Sequence, residues 1–128
     1  MRAWQRVYRD GRGHSFLLFS RGDDLLLGGL TLTNIRWGAA RTGTLGYWLG
    51  VDAGGHGFMG EAVKALCKWA KSDLCLARIE AGTIEENARS QRVLLQAGFC
   101  REGFAKSYLQ IAGERRDHIL YGLDLSAV

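Results

Sequence analysis

Apolar positions recur along this chain with two spacings, and the switch between them marks the elements. Ser15 to Ser20 (SFLLFS) is a compact apolar run between polar residues, which reads as a buried strand. Arg21-Gly22-Asp23-Asp24 is a turn signal, and Leu25 to Ile35 (LLLGGLTLTNI) reads as the strand that returns from it. Gly28-Gly29 within that run predicts a bulge or a close neighbour. Trp37 to Gly43 is a loop, and Thr44 to Val51 (TLGYWLGV) is a third strand. The spacing then changes. Met59, Ala62, Val63, Leu66, Cys67 and Ala70 follow at intervals of three and one, which predicts an amphipathic helix over about 57–72. Leu76 to Thr83 (LARIEAGT) returns to strand. Asn87 is a good N-cap for a second helix lined by Val93, Leu94 and Ala97, and Gly98 stands where a left-handed cap belongs. Two strands close the chain, Phe99 to Leu109 and Arg115 to Leu125, with Ala112-Gly113 in the turn. At the start, Trp4, Val7 and Tyr8 form a stripe that predicts a short helix over 2–10, ended by Gly11 and Gly13. The order α, β, β, β, α, β, α, β, β predicts a mixed α/β fold with helices crossing between strands, in one domain over 1–128.

Composition narrows this picture. At 128 residues the chain is long enough for a single core. Its 18 Gly and complete lack of Pro exclude a Pro-rich linker, and the glycines have no three-residue period, so they serve turns and close backbone approach. Seventeen Lys and Arg against 13 Asp and Glu give a net charge of +4. That field suits an anionic partner, although the charges are dispersed rather than gathered in a nucleic-acid-binding run. Cys67, Cys75 and Cys100 are odd in number, and no CxxC pair exists, so the expectation is free thiols, no metal site and a cytoplasmic protein. No apolar run is long enough to span a membrane, and the N-terminal residues lack the apolar stretch of a signal peptide.

The stretch with most chemistry is Leu49 to Glu61 (LGVDAGGHGFMGE), where a strand ends, a glycine-dense loop follows and a helix begins. Gly54, Gly55, Gly57 and Gly60 let backbone N–H groups approach an anion, and the helix N-terminus adds donors and partial positive charge. A Walker loop would need a Lys-Ser/Thr end, which is missing. Gly55-His56-Gly57-Phe58-Met59-Gly60 fits GxGxxG formally, but it follows the third strand of a meander and lacks the later acidic residue of a dinucleotide fold. An ordinary tight connection is the remaining reading of the glycines alone.

Several segments together resemble the GNAT (Gcn5-related) N-acetyltransferases, with the closest match to the ribosomal-protein-alanine branch of RimJ/RimL type. They are Gly28-Gly29 with Thr31 and Asn34, Gly46-Tyr47-Trp48-Leu49-Gly50, Gly55 to Ala62, Ile84 to Ser90 (IEENARS) with Val93-Leu94, Ala97-Gly98-Phe99, Glu102-Gly103-Phe104, and Arg116-Asp117-His118. The resemblance covers about residues 15 to 125. It implies a mostly antiparallel mixed sheet in which the strand around Tyr47, Trp48 and Leu49 diverges from the next and leaves a wedge for coenzyme A. It implies that Gly54, Gly55, His56, Gly57, Phe58, Met59 and Gly60 hold the pyrophosphate, that backbone N–H near Trp48 and Leu49 serves the oxyanion, and that Asn87 contacts the cofactor arm. Ser90 would sit near the thioester sulfur and protonate the departing thiolate. Asn87 and Ser90 can equally be a helix cap and the residue it satisfies. The implied reaction is direct acetyl transfer from acetyl-CoA to an amine, foremost a protein N-terminal α-amine; a small amine acceptor and a non-catalytic acyl-CoA-binding module are the alternatives. The resemblance implies neither nucleic acid nor membrane as a partner.

The chain also departs from that pattern. Gly54 stands where Gln or Arg is usual, Met59 where Gly or Ala is usual, and Ser107 where the branch often carries an acid before an aromatic residue, here Tyr108. Tyr108, Glu80 and Glu102 are the alternative bases. Trp48 and Trp69 read as core. Arg116, Asp117 and His118 read as a polar network, since direct transfer needs no nucleophile. Relatives usually begin with a strand and two helices before the hairpin, so the first strand and first helix are expected to be absent. The expected consequence is an open edge beside Ser15 to Ser20, or a homodimer covering it.

Overall fold

A computed structural model describes residues 2–10, 13–20, 22, 24–49 and 57–128. Seven strands form one sheet: β1 (Arg2–Asp10), β2 (Gly13–Ser20), β3 (Leu26–Arg36), β4 (Thr42–Leu49), β5 (Arg78–Ile84), β6 (Cys100–Ile111) and β7 (Glu114–Asp124). Helix α1 (Phe58–Ser72) connects β4 to β5, helix α2 (Ala88–Gln96) connects β5 to β6, and a 3₁₀ turn (Leu125–Ala127) ends the chain. The spatial order is β1-β2-β3-β4-β5-β7-β6, antiparallel throughout except for the β4–β5 pair. The mixed, mostly antiparallel sheet expected from the sequence is therefore present.

The segment 2–10 corrects the sequence reading, because it is a strand and not a helix. It pairs antiparallel with β2 from Arg2↔Ser20 to Asp10↔Gly13, and the register slips between Arg6 and Tyr8. Val7 is the extra residue of that bulge. A bulge interrupts the alternation that announces a strand, so the Trp4–Val7 spacing imitates a helical stripe. The open edge expected beside Ser15 to Ser20 is corrected with it: β1 covers β2, and β1 is the outer strand.

Alternation in β2, β3, β4, β5 and β7 sends one set of side chains to a single core. Leu18, Leu30, Leu32, Leu45, Ile79, Ala81, Ile119 and Tyr121 meet Met59, Val63, Leu66 and Ala70 of α1 and Leu94 of α2 there. Trp69 packs edge-on against Phe16 (centroids 5.4 Å apart) and His14 (5.0 Å), as the core reading of Trp69 required. The opposite residues of the same strands, including Thr31, Thr33, Thr44, Arg78 and Glu80, lie on the face without helices. Asn87 caps α2 by accepting from the Ser90 N–H at 3.0 Å, and Gly98, at φ 99°, follows its end while the Phe99 N–H donates to the Leu94 carbonyl at 3.0 Å. Ala112 (φ 52°) and Gly113 (φ 84°) turn β6 into β7 in two residues of the mirror-turn type.

Candidate active site

The parallel pair β4–β5 holds together only at Thr42↔Arg78, Gly43↔Ile79 and Thr44↔Glu80. Beyond those pairs β4 continues to Leu49 and β5 to Ile84 without pairing to each other, so the two strands splay. A splayed parallel pair presents ladder donors and acceptors to whatever enters the gap. The wedge expected around Tyr47, Trp48 and Leu49 is thus formed.

Tyr47 lies on the helix side of the wedge and spans it. Its hydroxyl donates to the Ser90 carbonyl at 2.9 Å and lies 2.6 Å from Ser90 Oγ. Burial raises the Tyr47 pKa, while the bond to Ser90 pulls it down less strongly. The phenol is therefore neutral at working pH. Trp48 points the other way. Its indole lies over Gly29, where a Cβ would come within 2.4 Å of Trp48 Nε1, so the glycine makes room for the ring. Trp48 is 47% exposed, which corrects its reading as core.

On the helix side, Leu49, Gly57, Gly60, Arg89, Arg92 and Val93 line a groove of about 260 Å³ between the starts of α1 and α2, with Phe58, Met59 and Gln96 completing it. Gly57 is the N-cap of α1, at φ 72°, and among the described residues no side chain caps the helix. Among the described residues, a Cβ at Gly57 or Gly60 would meet nothing within 4 Å. Phe58 and Met59 are both 3% exposed. Their side chains belong to the core, and what they can offer an anion is backbone. Gly54, Gly55 and His56 lie outside the described residues. Arg89 and Arg92 were missed in the sequence. Their three-residue spacing just after the Asn87 cap puts them on one helix face, a signal that could have found them.

On the open face, a cavity of about 690 Å³ reaches the wedge from the other side. Thr31, Thr33, Thr44, Glu80, Glu102 and Tyr108 are among its walls. Arg78 crosses it, donating to Glu80 through Nε at 3.2 Å and to Glu102 through Nη1 at 2.9 Å. Those bonds raise the Arg78 pKa and hold the Glu102 carboxyl below the usual range. Two of the three alternative bases are therefore tied to a guanidinium. The third, Tyr108, is 42% exposed, and its ring centroid stands 5.4 Å from that of His118. His118, 3% exposed, has Nδ1 at 3.0 Å from the Arg116 carbonyl, while Arg116 pairs with Glu86 and Asp117 with the Ser107 N–H. Each of the three side chains thus bonds to a different partner, and none bonds to another of the three.

The family model described as an acetyltransferase (GNAT) domain matches residues 1–100. The chain belongs to the GNAT acetyltransferase family. Among curated GNAT relatives, the probable N-acetyltransferase YjcK of Bacillus subtilis is 40% identical over 89% of this chain and 62% of its own length. The [ribosomal protein uS5]-alanine N-acetyltransferase of Escherichia coli is 34% identical over 91% of this chain and 60% of its own length. The chain thus spans about three fifths of these relatives. RimJ of Mycobacterium smegmatis, solved with a CoA-disulfide, superposes with a TM-score of 0.86 at 33% identity, over 92% of this chain and 56% of that one. A spermidine N-acetyltransferase of Vibrio cholerae, solved with CoA and spermine, superposes at 0.81 with 19% identity, a likeness of fold alone, over 92% of this chain and 69% of that one. Among the described residues, no helix is long and apolar enough to cross a membrane.

Proposed function

We propose that this chain carries the acetyl-CoA site of an N-acetyltransferase whose acceptor is a protein N-terminal α-amine, acting in the cytoplasm. The observation that carries the reading is the splayed β4–β5 pair, with a basic groove at its helix side and a polar cavity at its open side. The residues fit the cofactor. The uncapped start of α1 and the Arg89 and Arg92 guanidiniums suit phosphates, and the free edge of β4 suits an amide-bearing arm that pairs like a strand. Acetyl-CoA supplies a thioester, and the acceptor amine replaces its thiol, one N–C bond forming as the C–S bond breaks. The chain's own residues do three things. β4 backbone N–H groups near Trp48 and Leu49 face the wedge where negative charge grows on the carbonyl oxygen. Ser90, held by Tyr47, offers a proton at the departing sulfur. Asn87 spends its side-chain oxygen on the α2 cap and keeps its amide nitrogen for the cofactor arm.

The α-amine is favoured over a Lys side chain by what lines the cavity. Glu80 and Glu102 are paired with Arg78, and Ser107 occupies the position where an acid could serve. An α-amine, with a pKa near about 8, is already partly neutral and needs only a weak base or water, whereas a lysine near about 10.4 needs a strong one. The named activity of the Escherichia coli relative on a ribosomal-protein alanine agrees with this choice. A thiol-release assay with Ala- and Ser-initiated peptides, free lysine and small amines tests it. Release with the peptides alone supports the proposal. Release with small amines alone assigns the other acceptor class, and tight acetyl-CoA binding without release points to a binding module.

A further inference from the structure

We propose that Asp117 and Arg115 are positioning residues that fix Tyr108 as the wall against which the acceptor's first side chain is measured. This rests on the acetyl-transfer reading and extends it to acceptor choice. After an earlier slip between Arg101 and Gly103, the strands β6 and β7 pair from Gly103↔Leu120 to Ala105↔His118 and resume at Leu109↔Arg116. Between those pairs β6 places Lys106, Ser107 and Tyr108 opposite Asp117 alone. Ser107 takes φ 51°, in the left-handed region that L side chains avoid. Such a path persists only when its surroundings hold it. Two β7 side chains do so. Asp117 Oδ1 accepts from the Ser107 N–H at 2.8 Å, and Arg115 Nη2 donates to the carbonyls of Ser107 at 2.7 Å and Tyr108 at 3.1 Å. All three bonds go to β6 backbone, so they set the path of the chain and not one side chain.

The path decides which face Tyr108 serves. Ala105 and His118 share the open face, and in an unbroken strand Tyr108, three residues on, would point to the other one. The bulge turns it back. Its ring stands over His118, with Cε2 3.6 Å from where a Cβ on Gly82 would lie, at the wall of the cavity that reaches the wedge. A ring held by backbone latches is a rigid wall, and a rigid wall sorts acceptors by size.

Peptides beginning with Ala and with Leu, assayed by thiol release with the whole chain, test this. Asp117→Ala should raise KM for the Ala peptide and lower the Ala-over-Leu ratio of kcat/KM about tenfold, the scale on which pocket shape discriminates side chains. Acetyl-CoA affinity by titration should not change. Asp117→Asn keeps an oxygen for the Ser107 N–H and should keep the ratio. Tyr108→Ala should match Asp117→Ala, and the double variant should add nothing to either. An unchanged ratio in Asp117→Ala, or additive losses, overturns the proposal. If Asp117→Ala gives no melting transition, Arg115→Ala, which removes only bonds from an exposed side chain, decides by the same ratio. A wild-type chain that binds acetyl-CoA but discriminates no peptides defeats the proposal while leaving cofactor binding intact; one that releases thiol with no amine strikes the acetyl-transfer reading itself.

Discussion

The hydroxyls of Tyr47 and Ser90 meet at 2.6 Å across the mouth of the β4–β5 wedge. The phenol also donates to the Ser90 carbonyl at 2.9 Å, and either hydroxyl can be the donor in the shorter contact. Strand β4 thereby fixes both the start of α2 and the rotamer of Ser90. Tyr47→Phe removes both bonds, leaving the half-buried Ser90 carbonyl without that donor. It should cost about 1 kcal/mol of stability, read by urea unfolding, and free Ser90 to rotate. Turnover should fall while acetyl-CoA affinity holds. Loss of affinity equal to the loss of rate would assign Tyr47 to binding alone.

Ser90→Ala leaves the Asn87 cap in place, because that bond uses the Ser90 backbone N–H. Helix α2 should therefore stay folded. A slower kcat with an unchanged acetyl-CoA Kd is the expected outcome, measured by single-turnover thiol release and titration. Equal rates in variant and wild type would reduce Ser90 to a cap residue.

Neighbouring glycines on β3 should respond differently to the same methyl group. A Cβ on Gly28 would lie 2.3 Å from the Trp48 carbonyl oxygen, which is backbone and cannot swing away. Gly28→Ala should therefore loosen the β3–β4 ladder and destabilise by about 1–3 kcal/mol. The conflict at Gly29 is with the exposed Trp48 indole, which can move. Gly29→Ala should cost less in chemical denaturation and should instead shift tryptophan fluorescence.

Cysteine reactivity checks the packing of α1. Cys67 is 1% exposed, and burial pushes its thiol up to about 12, whereas Cys75 and Cys100 are exposed. A disulfide reagent at about pH 8 should modify two thiols quickly and the third only on unfolding, because thiolate and access are both required. The linkage has a definite sign. The folded chain holds the Cys67 proton more tightly than the unfolded one, so this stabilisation is complete below about pH 8.5 and is lost as pH rises toward 12. Cys67→Ala should flatten that alkaline decline.

Legibility in the sequence followed locality. Helix α1 was plain because Met59, Ala62, Val63, Leu66, Cys67 and Ala70 repeat its period, and α2 because Asn87 and Gly98 mark its ends. Strand β1 was hidden because one extra residue, Val7, broke its alternation, and its pairing with β2 is a tertiary fact. The cofactor side announced itself in glycines. The open side did not: Arg78, Glu80 and Glu102 come from two strands separated by a helix, and the bulge at Ser107 depends on Asp117, ten residues on. Trp48 misled because an apolar side chain in a strand reads as core, and only the register showed it covering Gly29.

The central claim is that the uncapped start of α1 and the β4–β5 wedge bind acetyl-CoA, and side-by-side calorimetric titration of wild type and Gly57→Glu tests it most directly. Among the described residues nothing lies within 4 Å of a Cβ on Gly57, so what the variant adds there is the strain of φ 72° and a new negative charge over the groove. Its melting temperature should show that it is folded. The expected result is one acetyl-CoA bound per wild-type chain and no measurable heat with folded Gly57→Glu. Silence from the wild type, or the same affinity in both, would contradict the account.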